Sequence, residues 1–413
     1  MTRVGSFARL WIATVGAVAC VVCLESTTWA QAAAPAAAES PVKLTPYGTI
    51  YFNLFDNSDG VNNADVPTWA APGLANLSAS ARQTRLGLRI TGLKAVEAKV
   101  TAVVEADFYG GYPAVGIGDN MGIVRLRLAN VRLDWDNNVS LVIGQDWMVF
   151  APLNPTSIAA AGIPEMAAAG NPWARLPQAR VEWHHGPALL QGAILAPSTG
   201  DFSSAFADVP QTGPLSQVPF FQGRAAFTSK DWMGTKHPAS IGISGHIGRA
   251  RVVSTTFDNT INTRAVAADW TVPLASRFTL AGEAFTGSNL AGFQAGVFQG
   301  VNPDFNGGTA AAPINVGAHS IESRGGWAQL TATVNTALNA FVTWGLDDPR
   351  DDSLLSVSKH DWRVRNQATS FGFIHKLSKE LSWGIEDRYM VTASLVNGRR
   401  TANHLNFAAT FTF

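Results

Sequence analysis

Ala402-Asn403-His404-Leu405-Asn406-Phe407-Ala408-Ala409-Thr410-Phe411-Thr412-Phe413 is the last stretch of the sequence. Leu405, Phe407, Ala409, Phe411 and Phe413 share one parity, and His404, Asn406, Ala408, Thr410 and Thr412 share the other. A period of two marks a β-strand with one apolar and one polar face. A soluble sandwich could bury the apolar face, but a strand finishing on an uncovered aromatic fits that picture poorly. It fits the wall of a barrel in lipid: apolar outward, polar toward a lumen, aromatic at the membrane boundary.

Working back from this strand, alternating segments recur between turn signals at residues 47–55, 81–91, 97–109, 123–134, 139–146, 178–184, 188–196, 220–229, 239–248, 263–272, 277–286, 326–334, 338–345, 366–376, 381–394 and 402–413. They predict an all-β protein, a transmembrane antiparallel up-and-down β-barrel of about sixteen strands. The connections alternate in length. Asp136-Asn137-Asn138, His185-Gly186-Pro187, Asn335-Thr336-Ala337 and Ser378-Lys379-Glu380 are short, whereas 56–80, 147–177, 197–219, 287–325 and 346–365 are long. Short turns on one side and long loops on the other are a property of outer-membrane barrels, and with an even strand number both termini fall on the periplasmic side.

Composition agrees. The 413 residues carry no net formal charge and only 15% charged side chains, which leaves no basic patch for nucleic acid. Glycine is abundant, with 38 residues, against a helical protein of this length. Residues 1–30 read as a secretory signal: Arg3 and Arg9, then an apolar run from Leu10 to Leu24, then Thr28-Trp29-Ala30. Both cysteines, Cys20 and Cys23, fall inside it, and Ala17-Val18-Ala19-Cys20 offers an alternative lipoprotein reading. No later segment approaches the ~20 apolar residues of a transmembrane helix. Residues 31–45 read as a flexible Ala/Pro-rich lead-in and 46–413 as the barrel.

Parity assigns faces. Leu86, Leu88 and Ile90 oppose Arg85, Gly87 and Arg89; Val100, Ala102, Val104, Ala106 and Phe108 oppose Lys99, Thr101, Glu105 and Asp107; Val124, Leu126 and Leu128 oppose Arg125 and Arg127. A basic charge on the lipid face costs ~2–4 kcal/mol at the midplane, so the charges belong inside. Two positions break the pattern, Asp387 on the parity of Trp383 and Ile385, and Arg132 on that of Leu126; a bulge or a place near the water boundary would account for either.

Loop 147–177 holds Pro152, Pro155, Pro164, Pro172 and Pro177, two Ala-Ala-Ala runs and almost no charge, Glu165 and Arg175 excepted. Such a loop is expected to fold into the lumen and narrow it, since irregular backbone at membrane depth is tolerated along a water-filled cavity. The expected pore lining is Arg85, Arg89, Lys99, Arg125, Arg127, Arg180 and Arg224, with Glu105, Asp107 and the loop's Glu165; Glu97 and Glu182 are further acids of the lumen. Rows of arginine favour anions. Equally, these arginines can pair with Glu105 and Asp107 across neighbouring strands.

The final strand resembles the closing strand of bacterial outer-membrane barrels, in which the terminal aromatic is part of the insertion signal. Ala81-Arg82-Gln83-Thr84-Arg85-Leu86-Gly87, Asp107-Phe108-Tyr109-Gly110, Arg125-Leu126-Arg127-Leu128-Ala129 and Gly144-Gln145-Asp146-Trp147 resemble the DcaP-like porins, a group of trimeric outer-membrane channels associated with dicarboxylates. The resemblance covers strands two to five. Members can carry an N-terminal helical extension, and residues 31–43 are too short for one, so the implied trimer would form through barrel walls.

The expected function is passive diffusion of small hydrophilic solutes with a weak preference for anions. The expected setting is outer-membrane lipid and lipopolysaccharide, without nucleic acid, cofactor or metal. An outer-membrane hydrolase is the alternative from another class, with His360-Asp361 as its one candidate pair, and a structural barrel or adhesin is a third. Asp56-Asn57-Ser58-Asp59-Gly60 has some calcium-loop character but lacks the final acid, and 347–352, an Asp-rich run that could hold a divalent ion against lipopolysaccharide, reads as a solvated loop. His184-His185 at a short turn has no further ligand at zinc spacing.

Overall fold

The computed structural model describes residues 42–111, 122–200, 211–309, 312, 314–357 and 360–413. The expected signal segment and residues 31–41 of the lead-in lie outside the described residues. Sixteen wall positions follow one another: β1 (Lys43–Asn57), β2 (Asn76–Ser80 and Arg85–Ala95), β3 (Ala98–Asp107), β4 (Arg125–Asp134), β5 (Val139–Trp147), β6 (Arg175–His185), β7 (Ala188–Leu195), β8 (Phe220–Ser229), β9 (Ala239–Val253), β10 (Asp258–Ala275), β11 (Phe278–Ser288), β12 (Glu322–Thr333), β13 (Leu338–Pro349), β14 (Arg363–Lys376), β15 (Leu381–Ser394) and β16 (Gly398–Thr412). Each pairs antiparallel with its sequence neighbour, and β1 pairs with β16 from Thr49↔Thr412 to Asn57↔His404, closing the barrel. The two pieces of β2 both lie against β1, at Asn53–Asn57 and Lys43–Thr49 respectively, so they make one interrupted strand.

The alternation read in β16 is real. Leu405, Phe407, Phe411 and Phe413 are exposed outward, while His404, Asn406, Ala408 and Thr410 are buried inside. Asn406 accepts from Asn53 at 3.1 Å and His404 meets Asn57 at 2.8 Å, so polar pairs line the inside of the closure. Leu86, Val104, Leu126, Ile143, Val181, Ile194 and Phe371 continue the apolar exterior.

Several boundaries differ from the sequence reading. β9 and β10 run past 248 and begin before 263, because Arg249, Arg251, Thr260 and Asn262 continue the ladder with polar side chains outward. Glu97 is not in a wall: Val96 and Glu97 both have positive φ and form a tight hairpin between β2 and β3. Arg132 does face inward. A register irregularity opposite Glu105 and Ala106 puts Leu128 and Leu126 against consecutive partners, which reverses parity further along β4. The outward Gln145 donates to the Leu126 and Arg127 carbonyls there, at 2.9 and 3.1 Å. Asp387 keeps its outward parity, midway along β15.

The hydrophobic core lies inside the barrel. Met148, Val149 and Phe150 pack with Leu176, Leu195, Phe220, Phe285, Leu290 and Phe293, joining the start of loop 148–174 to the inner faces of β6–β8 and β11. A second cluster joins Met166 and Ala169 to Trp327, Ala368, Met390 and Ala402. Loop and wall approach closely at Gly345 of β13, where a Cβ would come within 2.1 Å of the Ala169 carbonyl.

Candidate functional site

Loop 148–174 runs round the inner wall, tethered strand by strand. The Val149 and Phe150 amides donate to Gln222 of β8 at 2.9 and 3.0 Å, and that of Ala151 to Ser244 of β9. Leu153 donates to Glu283 of β11 at 2.6 Å, and Thr156 exchanges two bonds with Gln329 of β12. Ser157 and Ile158 donate to Glu386 of β15 at 2.6 and 2.9 Å, and Tyr51 of β1 donates to the Ile158 carbonyl. Gln83, at the break in β2, accepts from Ala161 and Gly162 and donates to Ala159. Such a loop satisfies few of its own backbone groups, so inward Gln, Glu and Ser side chains accept from its amides and Tyr51 donates to a carbonyl.

On the return, Glu165 meets Ser370 of β14 and lies 3.6 Å from Arg388, which is 3.5 Å from Glu386. Asn366 donates to the Ala168 carbonyl. Glu165 is fully buried, so it anchors the loop rather than presenting a charge to open space. The motif Ala81–Gly87 contributes a second clamp. Arg82 binds Asp65 through Nε at 2.6 Å and Nη2 at 2.5 Å and stacks 3.8 Å over Tyr109, pinning the first long loop.

Where the loop reaches β4 it meets the arginines. Arg125 binds Asp107 through two bonds, at 3.0 and 2.6 Å, and donates to the Gly162 carbonyl. Arg127 bridges Glu105 and Asp107, both at 2.7 Å. Arg85 is 3.9 Å from Glu105, and Tyr47 also donates to that carboxylate. Arg89 lies 5.9 Å from the Tyr47 ring. The cross-strand pairing allowed by the sequence is therefore present, but unequally exposed. The side chains of Asp107 and Glu105 are 0% and 8% exposed, against 24% for Arg125 and 38% for Arg85.

The remaining candidates lie elsewhere. Arg180 binds Asp146 and Glu182, and Glu182 also binds Arg132. Arg224 forms a two-bond pair with Asp269. Lys99 is at the short-turn end, 3.7 Å from Asp136, away from the Arg125 cluster. Sequence reasoning missed Arg175, whose guanidinium lies 4.3 Å over Trp147 and 5.1 Å from Trp173 with Nε and Nη2 buried and unpaired. Its signal was present: it is the one cation of a loop whose other charge is Glu165, and it stands two residues after Trp173.

His360 and Asp361 do not form a pair. His360 contacts Asp304 at 2.8 Å, while Asp361 accepts from the Val396 and Asn397 amides. The Asp-rich run is not one solvated unit either: Asp347 is buried and accepts from Ser323 and the Val297 amide, whereas Asp348 and Asp352 pair with Arg324 and Arg350. No group of three or more metal-ligating side chains occurs among the described residues.

The architecture has close counterparts among solved structures. The outer membrane channel DcaP of Acinetobacter baumannii superposes with a TM-score of 0.68 at 17% identity, over 91% of this chain and 99% of that one. An anion-selective porin from Comamonas acidovorans gives 0.55 at 14%, over 90% and 100%. The trimer form of OmpT, an outer membrane protein of Vibrio cholerae, gives 0.53 at 10%, over 90% and 99%. At these identities the likeness is one of fold. No protein-family model matches the chain, and no curated protein does.

Proposed function

We propose that this chain is an outer-membrane porin for passive diffusion of small hydrophilic solutes, with a weak preference for anions such as carboxylates. The observation that carries the anion preference is the layering of the arginine wall. Arg85, Arg89 and Arg125 stay partly or fully exposed, whereas Glu105 and Asp107 are buried together with the Arg127 that bridges them. Anions passing the narrowed lumen then meet guanidinium first, and one sign of charge in a low-dielectric passage concentrates the opposite ion. The fold shared with an anion-selective porin supports the same reading.

The proposal includes a periplasmic placement of both termini and a homotrimer formed through barrel walls. Asp387 supports the trimer. It sits outward with Phe371 and Leu405 directly opposite, and a carboxylate is better sheltered by another subunit than by lipid. Mass measurement of the purified barrel in detergent counts the subunits.

The selectivity test is the reversal potential across a planar bilayer in a dilute salt gradient. Wild type should prefer chloride. Arg85→Gln with Arg89→Gln should lower the chloride-to-potassium permeability ratio on the order of twofold or more, an effect that fades at 1 M salt as the screening length falls to about 3 Å. A cation-selective wild-type channel would overturn the reading.

A further inference from the structure

On the long-loop side, Thr199, Gly200 and Thr212, with residues from the segments 289–303 and 360–363, border an open cavity of about 600 Å³, separate from the arginine wall. Its walls include Asn289, Phe298, Gly300, Asp361, Trp362 and Arg363. Asn289 is 3% exposed, yet neither its Nδ2 nor its Oδ1 has a hydrogen-bond partner. Buried amides are ordinarily satisfied, so both atoms of one side chain left open is unusual. Its backbone, by contrast, is engaged: the amide donates to the Ile321 carbonyl and the carbonyl accepts from Thr263. Gly300 makes room for the side chain, since a Cβ there would lie 2.4 Å from Asn289 Oδ1. The Trp362 indole Nε1 is likewise buried and unpaired.

The frame around these groups is held. Asp361 is fixed by the Val396 and Asn397 amides at 2.7 and 3.1 Å. Gln299 accepts from the Arg363 amide and donates to its carbonyl, both at 2.8 Å. The Arg363 guanidinium donates to the Val297 carbonyl through Nε and Nη2 and stacks 4.6 Å over Trp69.

We propose that this cavity is a binding site for a polyhydroxylated solute of mono- or disaccharide size. Rotation of this buried amide toward the cavity presents an unpaired donor and an unpaired acceptor, which match a hydroxyl group that both accepts and donates; a carboxylate only accepts. The unpaired indole N–H adds a second donor, and the Trp362 and Phe298 rings supply flat apolar faces for the C–H side of a sugar ring. The volume lies within the range of small-molecule sites. Arg363, the cation of the cavity, has two of its guanidinium nitrogens committed to Val297, which weakens the case for an anion as the favoured occupant.

The probe is glucose, applied on the long-loop side of single channels in a planar bilayer, with calorimetric titration of the detergent-solubilised protein as a readout that needs no conduction. Wild type should show saturable, glucose-dependent current fluctuations and a matching heat of binding. Asn289 has φ of 57°, so Asn289→Gly removes the amide without straining the backbone. It should weaken glucose binding about tenfold, the loss of roughly 1.4 kcal/mol. Trp362→Phe, which keeps a ring but removes the N–H, should weaken it severalfold. Heat-modifiable migration verifies that both variants fold. No glucose binding to wild type, unchanged affinity in both folded variants, or succinate binding that depends on Asn289 where glucose binding does not, would each overturn the proposal. The reversal potential of the same channels depends on the arginine wall and should not move in either variant, so the two readings fail independently.

Discussion

At the scale of single residues, the arginine wall separates charges that hold the structure from charges that meet solute. Arg127 is buried and is shared by Glu105 and Asp107. Replacing it with alanine leaves Asp107 to Arg125 and Glu105 to Tyr47 and the more distant Arg85, and the loss of a buried pair in this way costs at most about 3–5 kcal/mol. Arg85 is more than one-third exposed and only 3.9 Å from its acid, so its pair contributes about 0–1 kcal/mol after screening. Arg127→Ala should therefore lower the temperature at which the barrel loses its heat-modifiable migration, while Arg85→Ala should change selectivity and leave that temperature nearly unmoved. Equal thermal losses would mean that exposure does not distinguish the two roles. The sequence made these residues visible as inward charges through parity alone. It could not rank them, because which guanidinium lies above and which beneath depends on where the loop carbonyls of Ala161 and Gly162 come to rest.

At the scale of elements, the strands were legible because each repeats its signal over many residues, and lipid permits few exceptions outside. The exceptions came from local backbone events that leave faint traces. The parity reversal in β4 moved Arg132 inward to Glu182, and the two-residue hairpin at Val96-Glu97 removed an expected wall acid. Loop 148–174 was legible as inward-folding from its proline, alanine and missing charge. Its tethers were not, since Gln222, Gln329 and Glu386 look like any polar lumen residue until the path of the loop pairs them with its amides. This loop occupies the lumen, so deleting residues 159–169 should raise single-channel conductance. The deletion takes Ala159, Ala161 and Gly162 from Gln83 and Glu165 from Ser370 and Arg388, and each unpaired buried group costs about 1–3 kcal/mol, so the barrel should also melt earlier. A correctly folded deletion variant with unchanged conductance would place the limiting constriction elsewhere.

At the scale of the molecule, everything depends on closing β1 against β16, because an open sheet edge has no partners for its amides in lipid. Gly48 sits at that junction. Its amide and carbonyl exchange bonds with Phe413, both at 3.1 Å. On its other side it lies opposite Leu86. A Cβ at Gly48 would come within 2.6 Å of the Arg85 carbonyl and 2.9 Å of the Phe413 ring. The first obstacle is backbone, so it cannot rotate away; the second is the aromatic that covers the seam. Gly48→Val should therefore spread β1 from both neighbours at once and leave a chain that is exported but does not reach the compact, heat-modifiable form. Gly192, outward in β7 with nothing within 4 Å of its would-be Cβ, is the matched control. Gly192→Val should fold as wild type, since a β-branched side chain suits an open position on the apolar exterior. If both variants fold equally well, the contacts at Gly48 do not govern closure, and the seam tolerates more separation than its bond pattern implies.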